Sequence, residues 1–138
     1  MKFSVNSKCP CGSGNKYKNC CQVFHKGAIA KNALLLMKSR YSAYVIGDVN
    51  YIIKTTHQEN KEYKEDLQSW KKEIKSFSDE TEFVKLEIFD FQDGEIESFV
   101  TFRAHMKIDD TFTFFTERSR FLRVDGAWKY IDGEFLEA

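Results

Sequence analysis

The chain has 138 residues, 42% hydrophobic and 15% aromatic, with 21 basic and 21 acidic residues that leave no formal net charge. That length supports one domain with its own core plus a small appendage, and the charge balance argues against a body that binds polyanions over its whole surface. No apolar run approaches the ~20 residues needed to cross a bilayer, and Met1-Lys2-Phe3-Ser4 leads into polar residues without the apolar stretch of a secretory signal. The expectation is a cytoplasmic protein with no membrane partner.

All four cysteines fall in the first 21 residues, as Cys9-Pro10-Cys11 and Cys20-Cys21 around a loop containing Gly12 and Gly14. Two close ligand pairs flanking a tight loop can supply the four thiolates of a tetrahedral metal site. Clustered cysteines in a reducing compartment bind metal more often than they form disulfides. Cys9, Cys11, Cys20 and Cys21 are therefore expected to hold one structural zinc, with no coordination position open for an activated water. Two disulfides and a redox-sensing cluster are the competing readings, and spacing alone does not separate zinc from iron. Tyr17 can cover the knuckle with its ring. Lys8, Lys16 and Lys18 surround the loop and give it a small positive surface, the candidate for partner binding.

After a connection over Gln22–Lys26, Leu34, Met37, Tyr41, Tyr44 and Val45 recur at helical spacing and predict a helix over about 28–46. Gly47 can end it, and Asp48 can cap a short second helix through Tyr51, Ile52 and Ile53. His57 then stands where it can cap that helix's carbonyls. Tyr63, Leu67, Trp70, Ile74 and Phe77 form the stripe of a third helix. The remainder alternates as strands over 83–91, 96–108, 111–124 and 127–131, separated by Asp93-Gly94, Asp109-Asp110 and Asp125-Gly126. Helices followed by strands indicate an α+β domain, with about three helices covering an antiparallel sheet of about four strands. Residues 1–22 read as the metal knuckle and 23–138 as this second domain.

If Asp125-Gly126 closes a two-residue hairpin, Phe121 faces Tyr130 and Ser119 faces Asp132. Phe115, Glu117, Ser119, Phe121, Trp128, Tyr130 and Asp132 then share a face, joined by Val100, Phe102, Ala104, Met106, Phe89 and Phe91 if the other turns are equally tight. Thr101, Arg103, His105, Arg118 and Arg120 fall on the other face. One bulge would exchange these assignments. The apolar face carries a polar group of Glu117, Ser119, Tyr130 and Asp132. Under helices, it could make Glu117 or Asp132 a proton-transfer group and Tyr130 a donor to a bound carbonyl. Alternatively the same groups pair with one another and with Arg40 to pin helix to sheet. Ser119, Arg40 and His57 are the candidate ligand-binding residues.

The string Cys-Pro-Cys-Gly-Ser-Gly, followed by Lys-Tyr-Lys and a closing cysteine pair, resembles the SEC-C motif at the carboxyl end of the SecA translocation ATPase. Ser39-Arg40-Tyr41-Ser42-Ala43-Tyr44, Phe102-Arg103-Ala104-His105, Ser119-Arg120-Phe121 and Trp128-Lys129-Tyr130-Ile131-Asp132-Gly133 extend the resemblance to the YchJ-like family over nearly the whole chain. The resemblance implies a SEC-C motif followed by a cone-shaped domain like nuclear transport factor two, in which pairing through the sheet is common. SecA presents its SEC-C motif to a chaperone and to ribosomes, so the resemblance implies an acidic protein partner or ribosomal RNA at the knuckle. The expected function is a non-catalytic zinc-binding adapter. The alternative is a small-molecule-binding protein or enzyme using the cone's cavity with Glu117, Asp132 and Tyr130.

Overall fold

The computed structural model describes residues 3–137. A short 3-10 turn at Tyr17–Asn19 leads into four helices, α1 (Cys21–His25), α2 (Ala33–Ile46), α3 (Val49–Lys54) and α4 (Leu67–Glu80). Four strands follow: β1 (Thr81–Gln92), β2 (Glu97–Ile108), β3 (Thr111–Val124) and β4 (Ala127–Leu136). They form a curved antiparallel meander in the order β1-β2-β3-β4, so the architecture is α+β as expected.

Helix boundaries follow local capping chemistry. Asn32 accepts from Leu35 N and starts α2 five residues later than the periodicity indicates, while Gly47 ends it with a positive φ of 81°. Asp48 caps α3 as expected, through Tyr51 N. Asp66 caps α4, so Tyr63 stays outside the helix and packs against Trp70 with ring centroids 5.0 Å apart. The segment after Cys21, expected as a connection, is the helix α1.

Two turns are two-residue hairpins. Asp109 and Asp110 both have positive φ, as do Asp125 and Gly126, the conformation that matches strand twist. The Asp93-Gly94 turn is longer than expected, spanning four residues between Gln92 and Glu97, with Gly94 N bonded to Ser98 Oγ at 3.0 Å.

Three bulges place one extra residue each in β1 at Val84, in β1 at Phe89 and in β4 at Ile131. The inner face therefore carries Phe83, Leu86, Ile88 and Phe91 from β1 opposite Met106, Ala104, Phe102 and Val100 of β2. Phe89, expected on this face, is half exposed on the outer one, where the Arg103 guanidinium lies 5.3 Å from its ring. Helices α2 and α4 cover the inner face: Leu36, Met37, Tyr41, Trp70 and Ile74 are buried together with Val100, Phe102, Ala104 and Phe121.

Candidate metal centre and cone cavity

The knuckle is a small ribbon. Lys8 and Lys16 pair antiparallel, and Cys9 N donates to Asn15 O at 2.8 Å. Gly12 and Gly14 turn the intervening loop at φ values of 86° and 88°, which a side chain would resist. The 3-10 turn then brings Cys20 and Cys21 back. The four sulfurs lie within 4.8 Å of one another, and Cys11 and Cys20 are 3.6 Å apart. Four thiolates around one ion at roughly 2.3 Å would stand about 3.8 Å apart. Cys9, Cys11 and Cys21 are buried, with Cys20 half-buried, and none forms a disulfide. Contacts with Cys11 and Cys21 hold the Cys9 thiol far below its ordinary range, whereas contacts with Cys11 and Cys9, together with burial, push Cys21 well above it. Such a cluster carries one thiolate readily and resists a second, a conflict that a bound cation removes. The cluster fits a metal ion.

The knuckle is packed on the body. Cys9 Sγ lies 3.5 Å from Ser42 Oγ on α2. His25, at the end of α1, donates from Nε2 to Ser39 O at 2.8 Å and accepts at Nδ1 from the Tyr17 hydroxyl at 2.6 Å. Its ring also lies 4.6 Å from that of Tyr51, whose hydroxyl bonds Ser39 Oγ at 2.7 Å.

Between the inner sheet face and helices α2 and α4 lies a partly open cavity of about 890 Å³, with Asn60, Lys61, Glu62 and Lys64 among the residues on its border. Its walls include Trp70, Tyr44, Phe102, Phe115 and Phe121. On its floor, Glu117 Oε2 accepts from Ser119 Oγ at 2.5 Å and from the Tyr130 hydroxyl at 2.9 Å. Burial, then the neighbouring Glu117 charge, pushes the Tyr130 phenol well above its ordinary pKa. The Arg40 guanidinium lies 4.9 Å from the Tyr130 ring centroid. Its Nη1 donates to Ile52 O at 3.2 Å, Thr55 Oγ1 at 2.8 Å and Thr56 Oγ1 at 3.1 Å.

Glu117, Ser119, Tyr130 and Arg40 are thus brought together at one cavity; Asp132 borders that cavity but commits its carboxylate to Arg120, and His57 does not line it. The Ile131 bulge shifts the register so that Ser119 faces Gly133 and Arg120 faces Asp132. Asp132 consequently points to the outer face, where its carboxylate accepts from Arg120 Nε at 2.9 Å and Nη2 at 2.7 Å. The Arg120 guanidinium holds the Asp132 carboxyl below the usual carboxylate range. It takes no part in the buried polar group. His57 does not cap α3 either. The Thr55 and Thr56 hydroxyls and Arg40 take the carbonyls at that helix end. The His57 backbone N–H instead bonds Tyr130 O at 2.8 Å, and its Nδ1 accepts from Glu59 N at 3.0 Å. Lys8, Lys16 and Lys18 are all exposed on the knuckle.

Residues 6–22 match the SEC-C motif, and residues 32–133 match the family described as YchJ, middle NTF2-like domain. The chain belongs to the YchJ family. A UPF0225 protein of Streptomyces coelicolor is 41% identical over 133 residues, covering 94% of this chain and 96% of the relative. One from Vibrio parahaemolyticus is 38% identical over 136 residues, covering 95% and 77% respectively. The solution structure of a SEC-C motif containing protein from Rhodopseudomonas palustris superimposes with a TM-score of 0.81 at 27% identity, over 94% of this chain and 98% of that one. The crystal structure of another, from Psychrobacter arcticus, gives the same TM-score and identity over 100% and 87%. The SEC-C match precedes the NTF2-like match along this chain. Among the described residues no helix is long and apolar enough to cross a membrane.

Two features escape motif reading. His25 lies just past the last cysteine and outside the SEC-C match, yet it ties knuckle to core. The second is visible by counting: eight of the 21 basic residues precede Asp48, and none of the 21 acidic residues does. The net charge of zero conceals a strongly basic front and an acidic remainder.

Proposed function

We propose that the protein is a zinc-binding adapter that docks a protein or ribosomal partner through its knuckle face. The observation that carries this reading is the charge segregation. Lys8, Lys16, Lys18, Lys26 and Lys31 are exposed, and among the described residues none has a carboxylate within 4.0 Å. Unpaired surface lysines on a rigid support attract an acidic surface and accelerate encounter with it. Four thiolates suit zinc, and with four protein ligands a zinc ion would organise the support without performing chemistry.

The test is co-sedimentation of the metal-loaded protein with purified bacterial ribosomes, beside binding to purified acidic chaperones, over graded salt. Association is expected at low salt and should weaken steadily as salt rises. Joint substitution Lys8→Glu, Lys16→Glu and Lys18→Glu should abolish it while one metal per chain is retained. Binding that survives this charge reversal would overturn the proposal.

A second reading concerns the sheet's outer face. Phe89, Phe112 and Phe114 are exposed there at 50%, 72% and 44%, which supports pairing of two chains through that face. Light scattering on the parent and on Phe112→Lys should then give a dimer and a monomer respectively.

A further inference from the structure

The cavity contains a carboxyl group that the fold leaves incompletely satisfied. Glu117 is 8% exposed, and both hydrogen bonds it accepts come from neutral hydroxyls on a single oxygen, Oε2. Its Oε1 receives no protein donor, and no lysine, arginine or histidine nitrogen among the described residues lies within 4.0 Å of the carboxylate. Arg40 shares the cavity, but its Nη1 is engaged by Ile52 O, Thr55 and Thr56, and its guanidinium lies over Tyr130. Among the described residues no fully buried polar side-chain atom lacks a partner, so Oε1 opens on the cavity; a largely buried carboxylate without an adjacent cation is costly, and a charged donor supplied to that oxygen offsets the cost.

The surroundings favour a cation as well. Trp70, Tyr44, Phe102 and Phe115 line the same space, and aromatic faces attract cations. Over residues 23–138 the chain carries 17 basic against 21 acidic residues, and the cavity's border sets Glu62, Glu73, Glu117 and Asp132 against Arg40, Lys61 and Lys64, a small acidic excess. Gly133 stands over the carboxylate: a Cβ there would overlap Glu117 Oε2, so the missing side chain is what lets the carboxylate occupy the floor. A cavity of about 890 Å³ accommodates a small organic molecule rather than an ion alone.

We propose that the cone cavity is a binding site for a small organic cation, a primary or secondary ammonium on an apolar body, with its N–H directed at Glu117 Oε1 and its body among the aromatic walls. This site is independent of the knuckle docking surface and stands whether or not that surface engages a partner.

Isothermal titration of the metal-loaded, full-length protein with 2-phenylethylamine tests it, against 2-phenylethanol as the neutral isostere. The amine is expected to bind with a dissociation constant of about a millimolar or below, at least tenfold tighter than the alcohol. Glu117→Gln should remove at least tenfold of that affinity with little change in affinity for the alcohol. If the glutamine variant does not fold, Glu117→Asp, which keeps the charge but shortens its reach, should weaken the amine selectively. Equal binding of amine and alcohol, unchanged amine affinity in both folded variants, or no amine binding at 10 mM would each overturn the proposal.

Discussion

Gly133 of β4 and Glu117 of β3 occupy space that only one of them can fill with a side chain. A methyl group on Gly133 would overlap the Glu117 carboxylate. That relationship exists because the bulge at Ile131 places Gly133 opposite Ser119, beside the carboxylate that Ser119 and Tyr130 hold. Gly133→Ala should therefore displace Glu117 from its two hydroxyl donors and destabilise the fold by about 2–3 kcal/mol. At this chain length that lowers Tm by roughly 6–15 °C. In a Glu117→Ala background the same substitution should cost under about 1 kcal/mol, because the obstacle is gone. Additive costs in the double-mutant cycle would contradict this account.

His25→Ala should leave the Tyr17 hydroxyl and Ser39 carbonyl without their partner and open a gap beside Tyr51. The expected loss is about 1–3 kcal/mol in chemical denaturation. Because His25 contacts no cysteine sulfur in the structure, metal stoichiometry by native mass spectrometry should remain one per chain. Loss of metal in a folded His25→Ala protein would make His25 a part of the site.

Removing the ion should weaken the body as well as the knuckle. Cys9 touches Ser42 in the middle of α2, and α1 begins at Cys21. Disordering the ribbon therefore strips one side of α2. Chelation under reducing conditions, and Cys21→Ser, are each expected to lower Tm by more than about 10 °C, since binding free energy at a structural site is folding free energy. A melting curve that does not change on metal removal would refute this coupling.

Alkali should unfold the protein through its tyrosines. Burial raises the phenol pKa of Tyr17, Tyr44, Tyr51 and Tyr130, and burial with the nearby Cys11 pushes Tyr41 up to about 12. A phenol harder to ionise when folded than when unfolded contributes stability that is complete below the ordinary value near 10. That contribution is lost as pH rises toward the folded value. Stability should accordingly be flat through neutral pH and fall steeply above about pH 10. Phenolate absorbance near 295 nm should then appear together with loss of far-ultraviolet dichroism. Phenolate appearing before unfolding would place these rings in solvent.

Much of this arrangement is legible in the sequence, and the limits are physical. The cysteine ligands are local: four sulfurs joined by a loop of eight residues have few ways to meet. β2 and β3 alternate without interruption, so Glu117 and Ser119 can be placed on the inner face by counting from a hairpin. Asp132 cannot, because the Ile131 bulge is a tertiary event. Ile131 is buried at 8% exposure and adds one residue to β4 against β3, after which every side chain changes face. Phe89 changes face at its own bulge for the same reason. His25 was hidden in a segment with no visible periodicity, its role set by a carbonyl fourteen residues away.

The division of charge at Asp48 also makes the molecule an electric dipole. With the exposed lysines Lys8, Lys16, Lys18, Lys26 and Lys31 all ahead of Asp48 and an acidic excess after it, an approaching polyanion exerts a torque as well as a pull. Rotation toward the knuckle is then completed during the approach, before surfaces touch, and fewer collisions fail for want of alignment.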